Sequence, residues 1–208
     1  MISNGKFYES QFEEATIELL REAHWQYAFG DDIHRKYTDP LIEEDLRNFL
    51  TVQYKDKNLT TSEMDSIVAN LRNTGGQNDY YALRNAFLLY RDGYDFAYSD
   101  GRDNPFRLEY IDFEHPDHNI FRCVNQFVME QGRENRRPDI LLFINGIPVC
   151  IIELKNPTKQ NATIHDAHTQ ICTRYMRDIP ALLKYCALAV ISDGAKNALG
   201  TTYTPFEF

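Results

Sequence analysis

The 208-residue sequence is short of cations: 22 Lys and Arg stand against 31 Asp and Glu, a formal net charge of −9. That deficit excludes a chain that holds nucleic acid by bulk electrostatics alone, because an acidic surface repels phosphate. Long hydrophobic runs are also missing. Residues 147–152 and 186–191 are among the longest, far below the ~20 apolar residues that span a bilayer, so no membrane is expected. The opening, MISNGKFYESQFEEA, has no apolar signal core. The four cysteines (Cys123, Cys150, Cys172, Cys186) form no C-x-x-C pair. Reduced thiols and a cytoplasmic setting are expected. Six histidines are present, but neither His115/His118 nor His165/His168 has a cysteine or third ligand at a recognised zinc spacing. They read as helix or loop surface. No G-x-x-x-x-G-K-[ST] phosphate loop occurs, so ATP chemistry is not expected of this segment.

What is present is ordinary for a globular domain: 43% apolar and 25% charged residues. The length fits one domain over 1–208. Apolar residues at three- and four-residue steps (Phe12, Ala15, Leu19, Ala23) predict a helix over 9–23. Asp39-Pro40, Thr61-Ser62-Glu63 and Asn78 each read as a helix start, and Asp92-Gly93 as a stop. Residues 38–91 therefore read as a helical insertion of three short helices. Aromatic and β-branched residues then predict strands over 94–98, 107–113 and 120–130. Nearly continuous apolar runs over 139–144 and 148–155 flank Asn145-Gly146, as in a hairpin covered on both faces. A helix over 162–178 and a last strand over 185–192 follow. The fold class is α/β, a mixed central β-sheet flanked by helices.

The chemistry concentrates in 136–157. Asp139 opens one buried strand, and Glu153 and Lys155 close the next. Buried strands rarely carry charge without a partner or a metal. Register makes this testable. A plain two-residue turn at Asn145-Gly146 pairs positions summing to 291 and puts Glu153 on the wrong face. A three-residue loop (Asn145-Gly146-Ile147) pairs positions summing to 292 and sets Asp139 opposite Glu153, Cβ atoms ~4.5–5.5 Å apart. Either that odd loop or a bulge in the strand is required. Two facing carboxylates repel unless a cation lies between them. Oxygen donors of this kind suit Mg²⁺, with the Leu154 carbonyl available as another ligand. Lys155 on the same face could orient water or balance transition-state charge. The charge map agrees: residues 1–130 carry 13 basic against 24 acidic side chains, residues 131–184 carry 8 against 5.

Pro138-Asp139…Glu153-x-Lys155 resembles the signature of the PD-(D/E)xK nucleases. With Val124-Asn125-Gln126-Phe127, Asn135-Arg136-Arg137, Asn145-Gly146-Ile147-Pro148, Asn156-Pro157 and Ile191-Ser192-Asp193-Gly194, it resembles the N-terminal nuclease domain of type I restriction enzyme R subunits. The resemblance implies a restriction-endonuclease-like fold and cleavage of foreign double-stranded DNA. It implies partners too, the methylation and specificity subunits of the complex. It assigns Mg²⁺ to Asp139 and Glu153 and a catalytic role to Lys155. It points to Glu13 on the first helix as a further acid, with Glu9 and Glu14 as competitors. Relatives often carry Gln-x-x-x-Tyr on the following helix. Here Gln170 has Arg174 at i+4, so Gln170 is expected at the site with Arg174 beside a DNA phosphate, and Tyr175 in the core. Arg136 and Arg137 are candidates for DNA contact, or for orienting the acids. R subunits of this kind continue into an ATP-driven translocase, and the apolar ending at 203–208 reads as interrupted, so an N-terminal fragment is expected. Two alternatives stand beside this reading: a stand-alone repair or defence nuclease, and a docking module that does not cut.

Overall fold

The computed structural model describes residues 9–155 and 163–207. Its centre is a six-stranded mixed sheet. The strands are β1 (Gln26–Phe29), β4 (Phe121–Asn125), β7 (Ile140–Ile144), β8 (Ile147–Leu154), β9 (Leu188–Ser192) and β10 (Asn197–Gly200), in that spatial order. β1 runs parallel to β4, and β8 parallel to β9; the other neighbours are antiparallel. Two small hairpins lie apart from it. One pairs β2 (Tyr94–Phe96) with β3 (Phe106–Leu108), the other β5 (Met129–Gln131) with β6 (Glu134–Arg136). This is the α/β, restriction-endonuclease-like architecture expected from the sequence.

Both faces of the sheet are covered, which is why β7 and β8 read as unbroken apolar runs. Side chains alternate between the faces. Ile140, Cys150, Ile152 and Leu154 pack with Ile17 of helix α1 (Glu9–Glu22). Leu141, Phe143 and Ile151 pack on the opposite side with Ala167, Ile171 and Tyr175. Those last three belong to a helical segment made of α5 (Ile164–Thr169), a π-helical turn (Gln170–Tyr175) and α6 (Met176–Asp178), followed by α7 (Pro180–Leu183). The predicted insertion forms three helices, α2 (Glu43–Gln53), α3 (Thr61–Asn73) and α4 (Asp79–Asp92). They share a core with Ile147 and Tyr185. Asp45 of α2 is buried and holds Arg122 of β4 through two bonds of 2.6 and 2.7 Å, which ties the helices to the sheet.

The caps account for the helix bounds. Thr60 and Glu63 close a capping box on α3, and Asn78 accepts from Tyr81 N–H at the head of α4. Gly93 ends α4 with φ 69°. Asp39-Pro40 does not start α2. Asp39 Oδ1 takes Leu41 N–H, and the helix opens three residues later at Glu43. The predicted strand 120–130 is also broken. Gln126 takes φ 55°, so β4 stops at Asn125 and β5 starts anew at Met129. The predicted strand 107–113 is reduced to Phe106–Leu108, and β1 and β10 were not anticipated.

Candidate active site

The β7–β8 hairpin decides which residues can meet. Asn145 (φ 50°) and Gly146 (φ 75°) form a two-residue turn of the type that needs left-handed backbone at both positions. Of the two expected ways to set Asp139 opposite Glu153, an odd loop or a bulge, the structure takes the bulge. Gly146 is further enforced by packing, since a Cβ there would meet Ile42 O at 2.1 Å. Next to the turn the register sums to 291 (Ile144 with Ile147, Phe143 with Pro148). Beyond it the sum is 292 (Leu142 with Cys150, Ile140 with Ile152). Val149 is the extra residue of a β-bulge, a place where Pro148 is tolerated within a strand. The bulge restores the pairing that sets Asp139 across from Glu153. It puts Asp139, Leu141, Phe143, Ile151 and Glu153 on one face, the one that carries the π turn.

Glu153 is 1% exposed. Its Oε1 accepts from Lys155 Nζ at 2.8 Å and from Gln170 Nε2; its Oε2 accepts from the Tyr175 hydroxyl at 3.3 Å. Gln170 bridges the group: its Oε1 accepts from Lys155 Nζ at 2.9 Å and its Nε2 also donates to Tyr175 Oη at 2.7 Å. Burial, first, and the neighbouring Asp139 charge, second, push the Glu153 carboxyl up to about 8, against the opposing pull of Lys155. Asp139 is anchored by Leu154 N–H, which donates to its Oδ2 at 2.7 Å. The structure therefore brings Asp139, Glu153, Leu154, Lys155 and Gln170 together.

Tyr175 corrects the sequence reading. It is buried and packs in the core as expected, but its hydroxyl touches both Glu153 and Gln170. The π turn is the reason. At about 100° per residue i+3 and i+4 would share a face with Gln170, whereas the wider turn brings i+5 there. Arg174, placed beside Gln170 by the α-helical argument, is turned outward and exposed.

Glu13 is singled out from its neighbours by what it meets. Its carboxylate accepts from Asn125 Nδ2 at 2.7 Å and from Gln126 Nε2 at 3.0 Å. Gln126 N–H in turn donates to Asp139 O at 3.1 Å, which links Glu13 to the Asp139 strand by way of the left-handed Gln126. Ser10, Glu14, Glu18, Arg21 and Tyr27 complete a polar cavity of about 480 Å³ around it. Arg136 is committed elsewhere. Its guanidinium holds the buried Asp178 and also Glu134, each at 2.6 Å. It therefore holds a helix acid while about a third of its side chain stays exposed. Arg137 is exposed. Asn156 and Pro157 lie outside the described residues.

The donor set suits a hard divalent ion. Asp139 and Glu153 supply carboxylate oxygens, and the Leu154 carbonyl adjoins them in sequence, the oxygen-only complement that Mg²⁺ takes with water and substrate phosphate. Among the described residues, no third His, Cys, Asp or Glu joins these two within 4.8 Å; that kind of cluster occurs only at Asp112, His115 and His118. His165 and His168 pack against Phe206 instead.

A mixed sheet with an acid on one strand, an acid and a lysine on its neighbour, and a glutamine from the packed helix defines a restriction-endonuclease-like domain. Residues 6–208 match the model of the type I restriction enzyme R protein N terminus, and the chain belongs to that family. It is 29% identical over 209 residues to the type I restriction enzyme HindI endonuclease subunit of Haemophilus influenzae, covering 96% of this chain and 20% of that protein. It is 31% identical over 197 residues to the putative type I restriction enzyme MjaIXP endonuclease subunit of Methanocaldococcus jannaschii, covering 91% and 19%. The chain thus spans about a fifth of these relatives.

Proposed function

We propose that this domain is an Mg²⁺-dependent endonuclease that hydrolyses phosphodiester bonds of foreign double-stranded DNA. It would work within a cytoplasmic type I restriction–modification complex alongside methylation and specificity subunits. In that complex, cutting would be coupled to ATP-driven translocation by motor domains outside this chain. The observation that carries the reading is the meeting of Asp139, Glu153 and Lys155 on one face of one hairpin. Asp139, Glu153 and the Leu154 carbonyl would hold Mg²⁺, which supplies Lewis-acid activation of water and of the scissile phosphate. Lys155 Nζ would orient the attacking water and offset the negative charge that grows on the phosphorus oxygens. Gln170 and Tyr175 fix both oxygens of Glu153 and the direction of the Lys155 ammonium. Glu13, held by Asn125 and Gln126, is a further acid facing the substrate side. Arg137 and Arg174 are the candidates for phosphate contact.

The deciding experiment measures cleavage of linear and circular duplex DNA by the assembled complex with Mg²⁺, beside Asp139→Ala and Glu153→Ala. Metal titration of the isolated chain runs in parallel. Both variants are expected to lose cutting and to bind the ion more weakly. Full cutting, or unaltered metal binding, in both variants would refute the assignment.

A further inference from the structure

At the other end of the same hairpin, the loop after β3 gathers three metal-binding side chains. Asp112 is buried, with a carboxylate 5% exposed. Its Oδ1 accepts from the backbone N–H groups of Glu114 (3.1 Å) and His115 (2.8 Å), which fixes the direction of the other oxygen. That Oδ2 lies 3.0 Å from His118 Nδ1 and 3.6 Å from His115 Nδ1, and Gln53 Nε2 donates to it at 3.2 Å. A short 3-10 turn (Pro116–His118) follows His115. With three residues per turn, positions i and i+3 eclipse. The two imidazoles accordingly stack, 4.9 Å between centroids and 18° between planes. Both present Nδ1 to one carboxylate oxygen, and the three donor atoms lie within 4.8 Å of one another.

The two separations from the Asp112 oxygen suit a tetrahedral ion. Zinc bonds of about 2.0–2.2 Å to nitrogen and carboxylate oxygen put adjacent donors ~3.3 Å apart. The observed 3.0 and 3.6 Å bracket that value. Two imidazole nitrogens and one carboxylate favour a borderline transition ion over Mg²⁺, which prefers oxygen donors and octahedral geometry. The sequence reading missed the site because its third ligand stands three residues before His115, outside recognised zinc spacings.

We propose that Asp112, His115 and His118 form a transition-metal site, zinc in type, with water in the fourth position. Its role is structural. Asn119 Nδ2 donates to Asp112 O at 2.7 Å, Asn119 Oδ1 accepts from Asp112 N–H and from Asn145 Nδ2, and Gln53 closes α2. The ion therefore staples the C-terminal end of α2 and the loop to the hairpin turn. Six residue steps of ~3.3 Å along β7 separate Asn145 at this end from Asp139, about 20 Å, so the site is distinct from the proposed nuclease centre and independent of that reading.

The test uses the untagged chain, stripped by chelation and then titrated with Co²⁺ followed by Zn²⁺. Visible absorption, stoichiometry and Tm are read. One tetrahedral Co²⁺ equivalent is expected, displaced by Zn²⁺, with a rise in Tm that saturates at one equivalent. His115→Asn and His118→Asn should each weaken Zn²⁺ binding by more than ~10-fold, and the double variant should abolish the band. Asp139→Ala should retain it. Side chains 60% and 51% exposed can be replaced without opening the core, so folding is not at stake. Absence of a tetrahedral band in the wild type, or its persistence in the double variant, would overturn the proposal.

Discussion

At the scale of single residues, Glu153 is a buried carboxyl held above its ordinary range. A carboxyl held up at about 8 keeps a proton that the unfolded chain releases near 4.5. Between those values the native state binds more protons, so metal-free stability falls as pH rises across the window. Glu153→Gln keeps the amide-compatible partners and removes the charge. It is expected to raise the metal-free Tm by more than ~4 °C at about pH 9, with the gain fading toward pH 5, while cleavage is lost; thermal melts across pH read this. Because a metal ligand must be ionised, ion binding should release close to one proton below pH 8, measured by calorimetry in buffers of different ionisation heat. Tyr175→Phe deletes only the hydroxyl on Glu153 and Gln170. It should cost ~1 kcal/mol of stability in denaturant melts and slow cleavage at saturating Mg²⁺.

At the scale of elements, two irregularities set the geometry of the candidate site, and periodicity alone places neither. The helix bounds at Asn78 and Gly93 were legible because capping is local. Asp139, Glu153, Lys155 and Gln170 were legible because charge ends otherwise apolar strands and because the motif is shared with a known family. The bulge was legible as a necessity but not as a location. The packing of Gly146 against Ile42, which leaves no room for a Cβ, and the placing of the extra residue at Val149 are tertiary features. The π turn was not legible, since face-sharing rules presuppose 3.6 residues per turn. Glu13 stood among competing acids until Asn125 and Gln126 selected it. Deleting the exposed Thr173 should convert the π turn to α-helix and place the tyrosine at i+4 from Gln170. Retention of cutting to within about tenfold, compared with the far larger loss on Glu153→Ala, would confirm that the wide turn only absorbs one residue.

At the scale of the whole molecule, charge is divided against function. The acidic excess lies in 1–130, and the site lies in the mildly basic remainder. Free in solution, the chain should therefore bind duplex DNA weakly, with a shallow salt dependence. Arg137→Ala with Arg174→Ala should reduce the slope of log K against log salt by ~2 without changing sequence preference, as measured by fluorescence anisotropy. No helix among the described residues is long and apolar enough to cross a membrane.

Val149 has a consequence for heredity. Side chains along 147–152 can drift so long as they stay apolar, but the number of residues there cannot change by one. A single codon gained or lost between the bend and Glu153 would send the acid and the lysine to the α1 side of the sheet in one step. Lineages of this domain are thus expected to vary freely in spelling across that stretch while keeping its length constant.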